Sequence, residues 1–345
     1  MPGLLGSEEV VFYSVCNSDF FLGLVVLINS LRLLGHNERV VVLDCGLLPE
    51  QVAILSGHCT LVRLAVGEAS DPMFYKPFAH LLEPRGIAII LDDDMIVTSR
   101  LDGVVSAARE GKICAFANPD ARWFEEWKTI FGMEKPLRRQ PYVTTSFVAF
   151  SNERWPRLIG QWWSYCKRVC TRPTVYQRAS NEDPVSTGDQ DALNALLSNE
   201  YPQDALLVLP DIGIVQCSMQ PSTPIDVATL QCSFQGERPL VLHWPGRPKP
   251  WHWRGRDWRG WIQFSTGNPF VAFMHRLLTW DDVAIKVPAH ALPLRLRPGL
   301  AGALVYSSLG TFMRTMNPAR LAARTSLYRL QHWISAAGAH ARWTA

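Results

Sequence analysis

Apolar residues in the first half of the chain fall into short blocks of two kinds that alternate. Val10 to Cys16, Arg39 to Asp44 and Gly86 to Leu91 are rich in Val, Ile and Leu, the pattern of strands buried on both faces. Thr60 to Val66 and Lys112 to Ala117 read as further strands. Between them lie helical patterns. Phe20 to Leu34 is apolar nearly all round, which predicts a buried helix. Pro49 to Ser56 has proline in its first turn, and Phe74 to Leu82 reads as a third helix. This βαβα rhythm predicts an α/β fold: a mainly parallel, mixed sheet with helices on both faces. Later, Tyr142 to Phe150, Ala205 to Leu209 and Pro239 to His243 read as strands, and Leu158 to Val169 and Asp189 to Leu197 as helices. Pro and Gly cluster between residues 245 and 269.

One junction breaks the apolar pattern. The strand ending at Leu91 runs into Asp92, Asp93 and Asp94, then returns to Met95-Ile96-Val97. Ligands of parallel sheets bind at the carboxyl ends of the strands, which is where the triplet falls. Side chains alternate, so Asp92 and Asp94 share one side and Asp93 takes the other. Two carboxylates so close repel, and one stays protonated unless a cation lies between them. Hard oxygen donors suit Mn²⁺ or Mg²⁺, whose shells are commonly completed by substrate phosphates. The competing reading is a solvated acidic turn.

Two further stretches bear on that choice. "VLHWPGRPKPW", residues 241–251, also follows an apolar strand. His243 can complete a metal's ligand set. Gly246 lets backbone N–H groups approach a phosphate, and Lys249 offers a point charge for a diphosphate. Taken singly, the histidine reads as a core residue and the Pro/Gly segment as an ordinary loop. In "STGDQDALNALL", residues 186–197, Asp189-Gln190 open a helix, where negative charge also complements the helix dipole.

In combination these strings resemble the family 8 glycosyltransferases, the group of glycogenin and the bacterial lipopolysaccharide galactosyl- and glucosyltransferases. The resemblance rests on Leu91-Asp92-x-Asp94, Asp189-Gln190-Asp191-Ala192-Leu193-Asn194 and His243-x-x-Gly246-x-x-Lys249-Pro250-Trp251, in that order. Val15-Cys16-Asn17-Ser18-Asp19 and Leu27-Ile28-Asn29-Ser30-Leu31 match the family's opening, so the likeness spans about residues 10–255. It implies a GT-A, Rossmann-like fold and transfer of a hexose from a UDP-sugar donor with retention at the anomeric carbon. Carried over by position, it implies Asp92, Asp94 and His243 as metal ligands. Asn17, Asp19, Lys76, Asp93, Gly246 and Lys249 are then donor contacts, with Asp189 and Gln190 at the reacting sugar. Double displacement and same-face attack both remain open. "YVTTSFVAF", residues 142–150, departs from the family's Asn-Ser/Ala-Gly string; Thr144, Thr145 and Ser146 offer hydroxyls there instead.

Composition adds the remaining expectations. Hydrophobic residues make up 48% of the 345 and charged ones 19%, ordinary for a folded protein. The eight cysteines show no metal spacing, so free thiols and a reducing compartment are expected. No signal peptide is apparent at the N-terminus, which fits a cytoplasmic location. The net charge of +3 conceals an asymmetry, because no Asp or Glu follows Asp282. Residues 283–345 carry Lys286 and seven Arg, leaving 26 basic against 31 acidic groups before them, a net of −5. The organisation expected is a transferase domain over residues 1–265 and a basic, partly helical extension over 266–345. Arg320, Arg324 and Arg329 alternate with Leu321, Leu327, Tyr328, Leu330 and Trp333. That spacing suits a helix lying on an anionic membrane surface, at the inner face of the membrane and beside a lipid-linked or cell-envelope glycan acceptor. A helix packed on the acidic body is the alternative. No nucleic-acid motif accompanies the charge. Thirteen Trp include Trp244, Trp251, Trp253, Trp258 and Trp261 around the phosphate loop, where rings can pack the core or stack on sugars. Two other functions compete: a catalytically silent nucleotide-sugar or glycan-binding module, and a metal-dependent phosphohydrolase, whose usual motifs are absent.

Overall fold

The strands, in chain order, are β1 (Val10–Cys16), β2 (Arg39–Asp44), β3 (Thr60–Arg63), β4 (Ile87–Leu91), β5 (Met95–Val97), β6 (Ile113–Ala117), β7 (Val143–Ser151), β8 (Leu206–Leu209), β9 (Ile214–Gln216), β10 (Thr223–Asp226), β11 (Gln231–Ser233) and β12 (Val241–His243). The helices are α1 (Phe21–Leu33), α2 (Pro49–Leu55), α3 (Lys76–Leu82), α4 (Asp102–Arg109), α5 (Trp127–Phe131), α6 (Leu158–Val169), α7 (Asp189–Glu200) and α8 (Pro269–Thr279). This computed structural model describes residues 8–64, 72–177, 179–218, 220, 222–252, 268–293 and 296.

Seven strands form the central sheet in the order β3-β2-β1-β4-β7-β6-β8. β3, β2, β1 and β4 run parallel, as do β6 and β8, whereas β7 is antiparallel to both its neighbours. Alternate residues of each strand feed opposite cores. Phe12, Val40, Val42, Ile87 and Ile89 join one; Val11, Tyr13, Val41, Ala88 and Ile90 join the other. Continuous apolar strands therefore mean helices on both faces: α1, α4 and α8 on the first, α3, α6 and α7 on the second. The α/β, mainly parallel expectation holds.

Several boundaries move for local reasons. The segment predicted as one helix over 74–82 is a 3₁₀ turn, Pro72–Tyr75, followed by α3 from Lys76. Pro77 lacks the N–H of an interior helical residue and suits a first turn. β3 ends at Arg63, and residues 65–71 lie outside the described region. A three-stranded sheet, β5-β12-β9, was not anticipated. Its strands have only three residues each, too few for a periodic pattern. Residues 297–345, with the expected basic helix, also fall outside. Among the described residues no helix is long and apolar enough to cross a membrane. All eight cysteines are free.

α1 explains why a helix can be apolar all round. Every residue from Phe21 to Leu31 is buried, between the central sheet and the layer of β5 and α8. Asn29 is the polar pin of that layer. Its Nδ2 donates to the carbonyls of Leu277 and Ile285 at 2.8 and 3.0 Å, and its Oδ1 accepts from the N–H of Ile285 at 2.7 Å. Asn29→Leu leaves these backbone groups unsatisfied, and buried orphans cost about 1–3 kcal/mol each. Urea denaturation should show a loss of about 3 kcal/mol.

His80 makes a second stability prediction. It is 1% exposed, its ring lies between Tyr13 (4.9 Å) and Phe150 (5.4 Å), and neither ring nitrogen has a hydrogen-bond partner. Burial pushes its pKa down to about 4, below the unfolded value of about 6.5. The neutral ring is the form the fold accepts. Its contribution is complete above pH 6.5 and is lost as the pH falls from about 6.5 toward 4, by about 1.4 kcal/mol per unit. Unfolding at pH 7 and pH 5 should differ by about 2 kcal/mol from this group. His80→Phe should remove that part of the slope.

Candidate active site at the carboxyl ends of β4 and β12

Register explains how residues about 150 positions apart meet. β4 stops at Leu91, and Asp92 N–H extends its ladder by donating to Ser146 O at 3.0 Å. The chain then turns through the triplet into β5, which pairs antiparallel with β12 so that Met95 lies opposite His243. Trp244 N–H donates to Asp94 O at 3.0 Å and closes the junction. His243 Nε2 thereby lies 3.2 Å from Asp94 Oδ1 and 3.8 Å from Asp92 Oδ2. One ligand atom from each of the three residues falls within 4.8 Å of the others, the one such metal-competent group among the described residues. The residues fit a divalent ion. Asp94 Oδ1 is buried and, despite its 3.2 Å distance from the imidazole, makes no well-formed hydrogen bond.

Two lysines hold the carboxylates in that orientation. Lys76 Nζ lies 2.8 Å from Asp92 Oδ1, and Lys249 Nζ is paired with Asp94 Oδ2. Each carboxylate gives one oxygen to a lysine and turns the other toward His243. Burial would raise the Asp94 carboxyl, but Lys249 and then His243 hold it well below the usual carboxylate range. Burial alone would lower Lys76, yet Asp189 and Asp92 keep it firmly protonated, well above the usual lysine value. Asp93 lies beside Cys16, with its carboxyl against that thiol. Burial first, then the charges of Asp94 and Asp92, raise its carboxyl well above the usual range. Within the triplet, Asp92 and Asp94 each have a lysine partner, whereas burial and the charges of its neighbours act against ionisation of Asp93.

α7 delivers Asp189 and Gln190. Gly188 precedes it with φ +61°, and a Cβ there would press on Phe74 and Met73, so only glycine makes this turn without strain. Asp189 is 1% exposed; its Oδ2 accepts from Thr145 Oγ1 at 2.8 Å and lies 3.0 Å from Lys76 Nζ. Its carbonyl accepts from Trp162 Nε1 at 2.9 Å. Burial raises the Asp189 carboxyl, with Lys76 opposing. Lys76 therefore bridges Asp92 and Asp189, joining two sequence motifs through one ammonium. Gln190 Oε1 accepts weakly from Thr145 N–H at 3.3 Å.

Asp191 is a residue to which sequence reasoning gave no role. It is fully buried and takes Arg122 on both oxygens at 3.0 Å, Tyr142 OH at 2.8 Å and Thr187 N–H at 2.8 Å. Asn194 exchanges two hydrogen bonds with the backbone of Val143, both 2.8 Å, fixing α7 to β7. The signal was present in the Asp189-x-Asp191-x-x-Asn194 spacing, but the partners come from distant segments.

Asn17 and Asp19 occupy the loop after β1, where Asn17 Oδ1 accepts from Asp19 N–H at 3.1 Å. The carbonyl of Asp19 accepts from Trp251 Nε1 at 2.7 Å, which pins the loop carrying Gly246 and Lys249 to the β1 end. Gly23 of α1 packs against the carbonyl of Asp93 and the ring of Trp251, with no room for a Cβ. Gly246 has φ +75° and open space where a Cβ would point. Thr144 and Ser146 pair their hydroxyls at 2.7 Å. Trp244 and Trp251 are core residues, 1% and 5% exposed; Trp253, Trp258 and Trp261 lie outside the described region.

No protein-family model matches the chain, and no curated protein matches it in sequence. Solved structures do match in fold. The apo structure of the bifunctional glycosyltransferase WbbM shares 11% identity at TM-score 0.50, over 81% of this chain and 51% of that one. The galactosyltransferase LgtC, in complex with donor and acceptor sugar analogs, shares 16% identity at TM-score 0.49, over 79% of this chain and 98% of its own. The glycosyltransferase GlyE of Streptococcus pneumoniae TIGR4 shares 15% identity at TM-score 0.45, over 75% of this chain and 60% of that one. The sheet order and the WbbM match, at TM-score 0.50, give the fold as a mixed α/β, Rossmann-like architecture of the kind that glycosyltransferase has.

Proposed function

We propose that the chain is a metal-dependent, retaining glycosyltransferase that moves a glucose- or galactose-type hexose from a UDP-sugar to a glycan or lipid-linked acceptor. The observation that carries this reading is the convergence of one ligand atom each from Asp92, Asp94 and His243 within 4.8 Å at the strand ends, with Asp189 tied to them through Lys76. Asp92, Asp94 and His243 hold Mn²⁺ or Mg²⁺ in this account. When bound there, the ion supplies Lewis-acid stabilisation of a departing diphosphate. Lys249 and the backbone N–H groups around Gly246 take the remaining phosphate charge. Asn17, Asp19 and Asp93 are read as further donor contacts. Asp189 and Gln190 face the sugar carbon, whose oxocarbenium-like charge a carboxylate stabilises. Lys76, 3.0 Å from Asp189 Oδ2, opposes the effect of burial on that carboxyl and fixes it in place.

The chain's basic extension is read as a membrane-surface contact that brings a lipid-linked acceptor to this site, on the cytoplasmic side. A liposome sedimentation assay with and without residues 300–345 tests it; equal sedimentation refutes it.

The test of the activity is release of UDP from UDP-glucose and UDP-galactose with Mn²⁺ and with EDTA. Metal-dependent release is expected, and it should stop with EDTA. Tight UDP-sugar binding with no turnover across a broad acceptor panel identifies a silent binding module instead.

A further inference from the structure

Lys249 is in an unusual place for a phosphate-binding lysine. Its side chain is 4% exposed. The ammonium is paired with Asp94 Oδ2, donates to the carbonyl of Trp244 at 2.8 Å, and lies 5.1 Å from the centroid of the Phe20 ring. The Asp94 carboxylate, the Trp244 carbonyl and the Phe20 ring surround the ammonium, and the first belongs to the metal-competent group. Asp94 is thus shared between an ammonium on Oδ2 and the space before His243 on Oδ1.

A divalent ion entering that space meets a ligand whose charge is already half spent, beside a fixed positive group. Like charges at such separations in a buried site repel strongly. Lys76, paired with Asp92 Oδ1, places a second ammonium on the other acidic member of the group. The pocket therefore disfavours a bare divalent ion more than its three ligands alone suggest. A diphosphate changes this balance. It brings negative charge that Lys249 can take in place of Asp94, and the metal then has Asp94 to itself.

We propose that Lys249 is a cation gate: it competes with the divalent ion for Asp94 until a diphosphate draws it away, so that metal and donor bind as a cooperative pair. This rests on the metal-site reading given above and adds how the site is loaded. The lysine has two places to go, Asp94 or the donor, and only the second is compatible with full metal occupancy. Coupling of this kind is reciprocal: UDP tightens the metal as much as the metal tightens UDP.

The test measures Mn²⁺ binding by electron paramagnetic resonance and by calorimetry, with and without UDP, in the wild-type chain, Lys249→Met and Lys249→Arg. In the wild type, UDP should tighten Mn²⁺ by about tenfold or more. Lys249→Met should bind Mn²⁺ alone about tenfold more tightly than wild type, with most of the UDP coupling gone. Lys249→Arg keeps a fixed cation on Asp94, so it should bind Mn²⁺ alone no more tightly than wild type. This variant preserves the buried ion pair and keeps the test decisive if Lys249→Met is unstable. If Lys249→Met binds bare Mn²⁺ as wild type does, or more weakly, while wild type still couples Mn²⁺ to UDP, the gate is refuted and the metal site stands. Tighter binding of bare Mn²⁺ by Lys249→Arg also refutes the gate. If wild type binds neither Mn²⁺ nor UDP, both the gate and the metal-site reading fail.

Discussion

Asp94→Asn is expected to abolish measurable Mn²⁺ binding and to cut sugar transfer by roughly 10²–10³-fold, the scale of losing one preorganised electrostatic contact at developing charge. Asp94 carries three duties at once. Its Oδ1 faces His243 at 3.2 Å, its Oδ2 holds Lys249, and its carbonyl receives Trp244 N–H at 3.0 Å. The amide keeps the size and the backbone contact but removes the charge. Both the cation and the ammonium lose their shared anion. The fold should survive, because the β5–β12 register is set by backbone pairing. Steady-state kinetics and Mn²⁺ titration on the purified variant check this. An active Asp94→Asn enzyme with unchanged Mn²⁺ dependence contradicts the assignment.

Arg122→Met is expected to destabilise the fold by roughly 3–5 kcal/mol, the cost of leaving one member of a buried ion pair unpartnered. Arg122 grips both oxygens of Asp191 at 3.0 Å and donates to the carbonyls of Asn181 and Asp183 and to Ser186 Oγ. Its side chain is 9% exposed and that of Asp191 is fully buried. The methionine fills similar volume, so the loss reports charge and hydrogen bonds rather than a cavity. Because Asp191 lies in the first turn of α7, beside Asp189 and Gln190, turnover should fall together with stability. Urea denaturation monitored by tryptophan fluorescence gives the number. A loss below about 1 kcal/mol assigns the pair to an exposed, screened interaction instead.

How much of this was legible beforehand follows from the range of the signal. The central sheet was readable because Val, Ile and Leu runs such as Ile87–Leu91 are local. The direction of Asp92 and Asp94 was readable because alternation is local too. His243 could be tied to the aspartates only through motif resemblance, since the register of β5 on β12 belongs to two strands of three residues. The lysine pairings were not legible at all. Lys76 read as a donor contact and Lys249 as a phosphate contact, and nothing in their neighbours shows that each also holds an aspartate. Asp191 escaped for the same reason, its partners Arg122 and Tyr142 lying 69 and 49 residues away.

The most direct measurement is the anomalous difference map of a crystal grown with Mn²⁺ and UDP. The account predicts one strong manganese peak, at about 2.0–2.3 Å from Asp92 Oδ2, Asp94 Oδ1 and His243 Nε2, with diphosphate oxygens on its open side. A UDP-bound crystal with manganese elsewhere, or with no peak among these three side chains, contradicts it.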